Sequence, residues 1–176
     1  TTGTPLNDTW AWDGAHWSQM HPAQSPSARG LAALAYDAAH QDVVLFGGEV
    51  MGNGRTSPSA SDTWTWDGAS WKLLHPTTSP PARFQASMTY DAARQRILLF
   101  GGFTTVSAVN DTWTWDGSAW SQQQPATTPP ARVGASMVYD SATGQVVLFA
   151  GGAGANVGDL NDTWLWNGAN WSRFTT

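Results

Sequence analysis

The chain of 176 residues contains no cysteine, which excludes disulfides, thiol nucleophiles and thiolate-bound metals. Charged residues make up only 12% of the sequence, and the net charge is −5. No basic stripe is present, so we expect no nucleic-acid partner. No apolar run approaches the roughly 20 residues of a membrane-spanning helix, so we expect no membrane span. The 4 histidines are scattered, and we predict neither a bound metal nor another cofactor.

The chain also lacks an N-terminal signal peptide and begins at Thr1 rather than at a methionine. We therefore expect a processed chain or an excised piece. Sequence motifs of catalysis are missing as well: no Gly-x-Ser-x-Gly, paired-carboxylate cluster or phosphate loop is visible. We predict that the protein is not an enzyme.

Tryptophan, in contrast, is abundant, with 12 residues. All of them lie in four copies of one pattern, in which Asp-Thr-Trp-x-Trp is followed by a glycine-containing turn and a third Trp. The copies begin at Asn7, Ser61, Asn110 and Asn161. A period of about 50 residues indicates stacked supersecondary units, so the repeat decides the architecture.

A second pattern lies between the tryptophan copies and occurs three times. An arginine (Arg29, Arg83, Arg132) opens a strand of small residues that ends in Tyr-Asp, and an apolar run then ends near a glycine pair. The repeating unit thus has four predicted strands: a with the arginine, apolar b, c with Trp-x-Trp, and d with the single Trp. In the last copy Ala150 precedes the glycine pair, so either the pair slips by one position or a bulge forms.

Each predicted strand suits a radially packed sheet. Strand c alternates, so both of its tryptophans point to one face. Strand b is apolar at successive positions, which indicates burial on both faces, and small residues suit a crowded inner strand a. We predict an all-β fold of β-propeller blades, each with four antiparallel strands. The chain supplies fourteen strands, as a c–d half-blade at 1–22 and full blades at 23–75, 76–124 and 125–176.

The joint pattern resembles the kelch repeat over nearly the whole chain. The matching features are the glycine pair after strand b, the Asn-Asp-Thr-Trp-x-Trp-Asp strand, the downstream Trp and the Arg of the next strand a. The chain looks similar to bacterial kelch-like and galactose-oxidase-like propellers, and since propellers close with about 4–8 blades, it would form a partial ring. The copper site of galactose oxidase requires a cysteine-modified tyrosine, which this chain cannot form. We expect a secreted, extracellular protein, with a cytoplasmic location as the alternative.

Antiparallel order places the b–c and d–a loops at one end of the propeller, which we call the loop face. All length variation between the copies lies in the b–c segments, and loops on a rigid scaffold usually carry function. We therefore predict that the loop face is the recognition surface. Its longest loop contributes three candidate binding residues, Glu49, Asn53 and Arg55.

Two sets of repeated residues are further candidates. Arg29, Arg83 and Arg132 could converge at the mouth of the axial channel and bind a carboxylate or an acidic peptide. Alternatively, each arginine bonds to loop carbonyls or pairs with a repeat aspartate. The strand-c tryptophans are expected to pack between blades, whereas those of the outer strand d could stack on sugars: Trp17, Trp71, Trp120 and Trp171. The repeat aspartates are expected to cap the b–c loops through backbone hydrogen bonds: Asp8, Asp62, Asp111 and Asp162.

Three hypotheses for the function follow. The first is a non-catalytic binding or assembly module that recognises a protein partner through the loop face. The second is a carbohydrate-binding propeller, and the third is a fragment of a propeller enzyme whose catalytic residues lie outside the chain. Because the half-blade leaves a strand edge unpaired, we also predict self-association through open blade edges, or completion of the ring by residues outside the chain.

Overall fold

The computed structural model describes residues 6–50, 59–154 and 158–175 of the chain. Every regular element in these ranges is a β-strand, and neighbouring strands pair antiparallel. The predicted all-β fold is therefore confirmed. Within the same ranges, no helix is long and apolar enough to cross a membrane.

Three four-stranded sheets form full blades, and each follows chain order from strand a to strand d. The first blade contains β4 (Ala33–Asp37), β5 (Asp42–Phe46), β7 (Thr63–Trp66) and β8 (Trp71–Leu74). The middle blade contains β9 (Ser87–Asp91), β10 (Arg96–Phe100), β11 (Thr112–Trp115) and β12 (Trp120–Gln123). The last blade contains β13 (Ser136–Asp140), β14 (Gln145–Phe149), β15 (Thr163–Trp166) and β16 (Trp171–Arg173). The half-blade precedes them as a hairpin of β1 (Thr9–Trp12) and β2 (Trp17–Met20).

The structure corrects the predicted start of strand a. Arg29 does not open the inner strand but lies in a short separate ribbon, in which β3 (Arg29–Gly30) pairs with β6 (Glu49–Val50). The two later copies reduce this ribbon to a single bridge, Phe84 to Phe103 and Val133 to Gly152. The extended chain is interrupted after each arginine by a residue with positive φ: Leu31 (57°), Gln85 (54°) and Gly134 (63°). A left-handed residue turns the backbone, so strand a begins only beyond it.

The a-strands are the innermost strands, as the sequence predicts. β9 lies between β4 and β13 and contacts both. Backbone hydrogen bonds join adjacent blades at this level, with Gln85 N–H donating to Leu31 O and Gly134 N–H donating to Gln85 O, both at 2.9 Å. The Ser87 hydroxyl also donates to the carbonyl of Ala135 at 2.6 Å. Small side chains permit this close approach of the backbones.

The structure confirms the glycine-containing turn between strands c and d. In the half-blade, one oxygen of Asp13 accepts the backbone N–H groups of Ala15 (2.8 Å) and His16 (2.7 Å), and Gly14 has φ 102°. A positive φ of this size favours glycine because an L side chain would be strained there. The same side-chain geometry recurs at three later turns, formed by Asp67, Asp116 and Asn167.

The core lies between blades rather than within one. The tryptophans and strand b of the middle blade pack on Val44 and Phe46 of the first blade. The last blade packs in the same way on Leu98 and Phe100 of the middle blade. Each blade therefore turns its tryptophans toward the unit that precedes it. Strand b is fully buried only where a blade follows it, so Phe100 is 1% exposed but Phe149 is 49% exposed.

The question left open by Ala150 is settled in favour of a slipped pair. Ala150 takes the place of the first glycine with φ 59°, close to the 66° of Gly47 and of Gly101. Its N–H donates to Asp162 O at 3.3 Å, as that of Gly101 does to Asp111 O at 3.2 Å. No extra residue opposes the ladder there, because β14 pairs with β15 residue for residue from Val146 to Phe149.

Candidate binding surfaces

The repeat arginines are structural rather than exposed. The side chain of Arg83 is fully buried and donates two hydrogen bonds to Asp111, of 2.5 Å to Oδ1 and 2.8 Å to Oδ2. It also donates to the carbonyl oxygens of Gly101 (2.9 Å) and Pro81 (3.0 Å). One guanidinium thus fixes the start of strand c, the end of strand b and the d–a loop of a single blade.

The other two arginines repeat this arrangement. Arg29 bonds to both oxygens of Asp62 (2.7 and 2.8 Å), and Arg132 bonds to both oxygens of Asp162 (2.8 and 3.1 Å). The exposed fraction of the side chain is 6% for Arg29 and 0% for Arg132. The predicted ring of donors at the channel mouth is therefore wrong, because each guanidinium stays inside its own blade. The alternative, an arginine held by loop carbonyls and a repeat aspartate, is the observed one.

The repeat aspartates have a different role from the predicted backbone cap. Asp111 accepts from Arg83 and from the indole N–H of Trp113 at 2.7 Å. Burial is the largest influence on the pKa of Asp111 and raises it, but the hydrogen bonds and charge of Arg83, with the Trp113 bond, together bring the pKa below its ordinary value.

Burial is also the largest influence on the pKa of Asp62 and raises it, but Arg29 and Trp64 together bring it below the ordinary value. The pKa of Asp162 is lowered above all by Arg132, with a further contribution from Trp164.

The strand-d tryptophans differ in exposure although their sequences match. Trp17 is 63% exposed, Trp71 is half-buried, and Trp120 and Trp171 are each 1% exposed. The buried indoles fill the boundary between two blades and are not available to a ligand. As sugar platforms, Trp120 and Trp171 are therefore wrong, and of these four only Trp17 presents most of its surface to solvent.

The exposed tryptophans form one group on the half-blade. Trp10 and Trp12 are 50% and 51% exposed, whereas the equivalent Trp113 and Trp115 are 6% and 1% exposed. Trp12 and Trp17 are tilted by 44° with ring centroids 5.5 Å apart. The buried pair in the middle blade has nearly the same geometry, 5.3 Å and 44°. The exposed pair is thus a blade-packing pair without its neighbouring blade.

The loop face carries the residues that differ most between copies. Glu49 is half-buried and lies in the β3–β6 ribbon opposite Gly30, while Asn53 and Arg55 lie outside the described residues. The middle blade has Phe84 and Phe103 at the corresponding bridge, with ring centroids 5.5 Å apart. Val106, in the same b–c loop, is 84% exposed. The middle blade therefore presents an apolar surface where the first presents a carboxylate.

A cleft of about 470 Å³ lies between the half-blade and the first blade. It is lined by apolar side chains, among them Leu6, Leu34, Leu45 and Trp71, with Arg29 at its loop-face end. In the full blades strand c pairs with strands b and d, but β1 pairs only with β2 among the described residues. The cleft thus lies beside the unpaired strand edge that the sequence predicts.

Sequence reasoning missed Asp42. Its Oδ1 is buried without a hydrogen-bond partner in the part of the chain that the structure describes. Burial, and then the negative charge of Asp37, raise the pKa of Asp42. No repeat signal marks this residue, because Arg96 and Gln145 occupy the position in the later blades. Asp37, Asp42 and the neighbouring His40 do not form a metal site, and no cluster suited to a metal occurs in the described ranges.

The geometry and the repeat agree with a comparison against protein families. A family model described as the KLHDC2/KLHL20/DRC7 Kelch-repeats domain matches residues 1–176. The chain belongs to the kelch-repeat family. Kelch-repeat domains are generally protein-interaction modules and are typically not enzymes. No curated protein matches the chain in sequence.

Proposed function

We propose that this kelch domain is a non-catalytic module that binds a protein partner through its loop face. The observation that carries the proposal is a constant buried framework beneath a variable exposed surface. In all three full blades an arginine and an aspartate tie the same loop ends together, with the Arg83–Asp111 pair as the most complete example. The residues just above this framework differ between the blades, with Glu49 in the first, Phe103 in the middle and Gly152 in the last.

The framework makes the loop face rigid before a partner arrives. Arg83 donates to the backbone oxygen of Gly101 on one side of the loop that carries Phe103 and Val106, and to the side chain of Asp111 on the other side. The base of this loop is also held by backbone bonds, from Phe103 N–H to Phe84 O (2.8 Å) and from Phe84 N–H to Phe103 O (3.0 Å). A preorganised surface loses less conformational entropy on binding, which favours affinity.

The apolar loop of the middle blade is the best candidate for the centre of the interface. Phe84 and Phe103 are half-buried and Val106 is exposed, and interface centres are enriched in aromatic residues and depleted of charged ones. Glu49 lies on the adjacent first blade. We therefore propose a partner segment with an apolar anchor for Phe103 and a polar or basic residue toward Glu49.

The proposal can be tested with peptides selected from a random phage-displayed library against the whole chain. Phe103→Ala combined with Val106→Ser should weaken binding of the selected peptides by at least about 30-fold, the effect of losing an interface hot spot. Ala69→Ser, in an exposed c–d turn at the opposite end of the blades, is the matched control. Equal binding to both variants and to the unchanged chain would contradict the loop-face proposal.

Carbohydrate binding is the second candidate, and the exposed pair Trp12 and Trp17 favours it. Stacking on a sugar would use the open faces of these indoles. A glycan array tests this candidate directly. Signals that disappear in Trp17→Ala but persist in Phe103→Ala would support the sugar hypothesis over the loop-face hypothesis.

We also propose self-association through the open blade edges as a second form of protein binding. It is supported by the large apolar groups exposed at both ends of the blade series, Trp17 in the half-blade and Phe149 in the last blade. The extracellular location stays a prediction, which an antibody against the chain would test on unpermeabilised cells and culture medium.

A further inference from the structure

One hydrogen bond repeats at every boundary between adjacent units. The strand-d indole N–H of each blade donates to the strand-c threonine hydroxyl of the preceding unit. The three bonds are Trp71 to Thr9 (2.8 Å), Trp120 to Thr63 (3.0 Å) and Trp171 to Thr112 (3.0 Å). Two groups of the series do not make this bond. Among the described residues, the indole of Trp17 has no acceptor and the hydroxyl of Thr163 has no indole donor.

An aromatic contact accompanies this bond, and in the described residues the same two ends of the blade series are without its partner. Phe46 packs edge-on against Trp120 at 5.3 Å and 62°, and Phe100 packs against Trp171 at 5.3 Å and 65°. The corresponding phenylalanine of the last blade is Phe149, which is 49% exposed. The last blade thus presents an acceptor hydroxyl and an aromatic ring, and the half-blade presents the indole that fits them.

Ala150 determines which kind of unit can cover the last blade. A Cβ on Gly47 would lie 2.5 Å from the carbonyl oxygen of Arg83 in the next blade, and a Cβ on Gly101 would lie 2.6 Å from that of Arg132. Ala150 carries a Cβ at this position. A following full blade of the usual geometry would therefore collide with it. Among the described residues, the half-blade has no strand a and no such arginine carbonyl, so it avoids the collision.

The half-blade is also a competent packing unit without strands a and b. Its Thr9 already accepts the Trp71 indole at 2.8 Å, as short as the bonds between full blades. Its loop end is positioned in the same way, with Arg29 N–H donating to Leu6 O at 3.3 Å, as Arg83 N–H donates to Ala60 O at 3.2 Å. The c–d hairpin alone thus reproduces the outer part of a blade boundary.

We propose that the tryptophan face of the half-blade binds the open face of the last blade in a second copy of this chain. In this head-to-tail contact the indole N–H of Trp17 donates to the Thr163 hydroxyl of the other copy, and the Trp17 ring packs on Phe149. The inference rests on the proposed self-association and names its two faces. Because the two faces differ, the contact is heterologous, and each copy keeps one face open for the next.

The test is the molar mass in solution, measured by light scattering over a range of protein concentrations. The unchanged chain should associate beyond its monomer mass of 18.8 kDa. Trp17→Ala should weaken this association by at least about 30-fold, since a central tryptophan is a typical hot spot. Thr163→Val, which removes one neutral hydrogen bond, should weaken it about 2- to 10-fold. Ala69→Ser, in an exposed c–d turn of the first blade and remote from both faces, should leave the association unchanged.

Mixing two variants distinguishes a head-to-tail contact from other forms of association. Trp17→Ala keeps the last-blade face, and Phe149→Ser keeps the half-blade face, so each should be monomeric alone. Together they should form a 1:1 dimer that grows no further. A circular dichroism melt establishes that each variant is folded, and Phe149→Ala replaces Phe149→Ser if the latter is not.

Each outcome of the mixing experiment has a definite meaning. If the unchanged chain is monomeric at every concentration, both the self-association and the head-to-tail inference are overturned. If it associates but Trp17→Ala and Thr163→Val associate equally well, self-association stands and the two faces named here are wrong. If Trp17→Ala alone abolishes association and mixing restores nothing, the contact joins two tryptophan faces, which also overturns the inference.

Discussion

Removing the carboxylate of Asp111 should destabilise the fold strongly. Asp111→Ala leaves the guanidinium of Arg83 buried at 0% side-chain exposure with only carbonyl partners. An uncompensated buried charge costs about 3–5 kcal/mol. The indole N–H of Trp113 also loses its acceptor. Since domains are stable by about 5–15 kcal/mol, the variant should lose a large fraction of its free energy of unfolding.

The three copies of the arginine–aspartate pair differ in exposure, so their contributions to stability can be compared within one protein. In the first blade, Arg29 is 6% exposed and Asp62 is 28% exposed, against 0% and 19% for Arg83 and Asp111. Water reaches the Arg29 pair more easily, so Asp62→Ala should cost less than Asp111→Ala. Replacing both partners, as in Arg83→Met with Asp111→Leu, should cost less than Asp111→Ala alone, because no buried charge remains.

Urea denaturation followed by circular dichroism measures these free energies of unfolding. Asp116→Ala is a suitable control, since Asp116 accepts only turn bonds from Ser118 and Ala119. A cost for Asp111→Ala below about 1 kcal/mol, or one equal to that of Asp62→Ala, would refute the conclusion that the repeat arginine is a buried charge dependent on its aspartate.

Three further predictions concern stability. Trp113→Ala should cost about 3–5 kcal/mol and Trp10→Ala less than about 1 kcal/mol, because their exposures are 6% and 50%; equal costs in urea melts would contradict this. Gly101→Ala should cost at least about 2 kcal/mol of unfolding free energy, because the new Cβ would collide with the next blade and the positive φ would be strained. Ala150→Gly should be neutral or stabilise the fold by up to about 1 kcal/mol. Destabilisation by Ala150→Gly would contradict the conclusion that Ala150 occupies a position suited to glycine. The pKa of Asp111 is lowered from its ordinary value of 3.8, so this carboxylate contributes stability that is complete above that value and is lost as the pH falls through the lowered pKa of the folded state. The urea concentration at the unfolding midpoint should therefore decrease as the pH is lowered below 3.8, and it should decrease less in Asp111→Ala. Identical pH profiles would be evidence against the ion pair.

The sequence was sufficient for the blades because the signals are local and repeated. Trp-x-Trp alternation and the following Asp-Gly turn determine a hairpin within a few residues, as in β11 and β12. For Arg83, the sequence left two arrangements open, one at the channel mouth and one bonded to loop carbonyls or a repeat aspartate. Its partner Asp111 is 28 residues away, and the choice between an exposed and a buried guanidinium depends on how the b–c loop returns over the blade.

The exposure of the tryptophans could not be obtained from local sequence at all. Trp17 and Trp171 occupy the same repeat position, yet one is 63% exposed and the other 1% exposed. The difference arises from whether a preceding blade is present. The ends of the longest b–c segment belong to the framework as well, because replacing all of Glu49–Ser61 would remove the β3–β6 ribbon and the bond from Ala60 N–H to Gly48 O (2.8 Å).

A partner bound to the preorganised loop face should protect the backbone of that face from solvent. Hydrogen–deuterium exchange of the chain, alone and with a peptide selected against it, tests that claim most directly. The peptide should slow exchange in the loop from Phe103 to Val109 and in the β3–β6 ribbon. Slowed exchange confined to the c–d turns, or to the half-blade from Trp10 to Trp17, would contradict binding at the loop face.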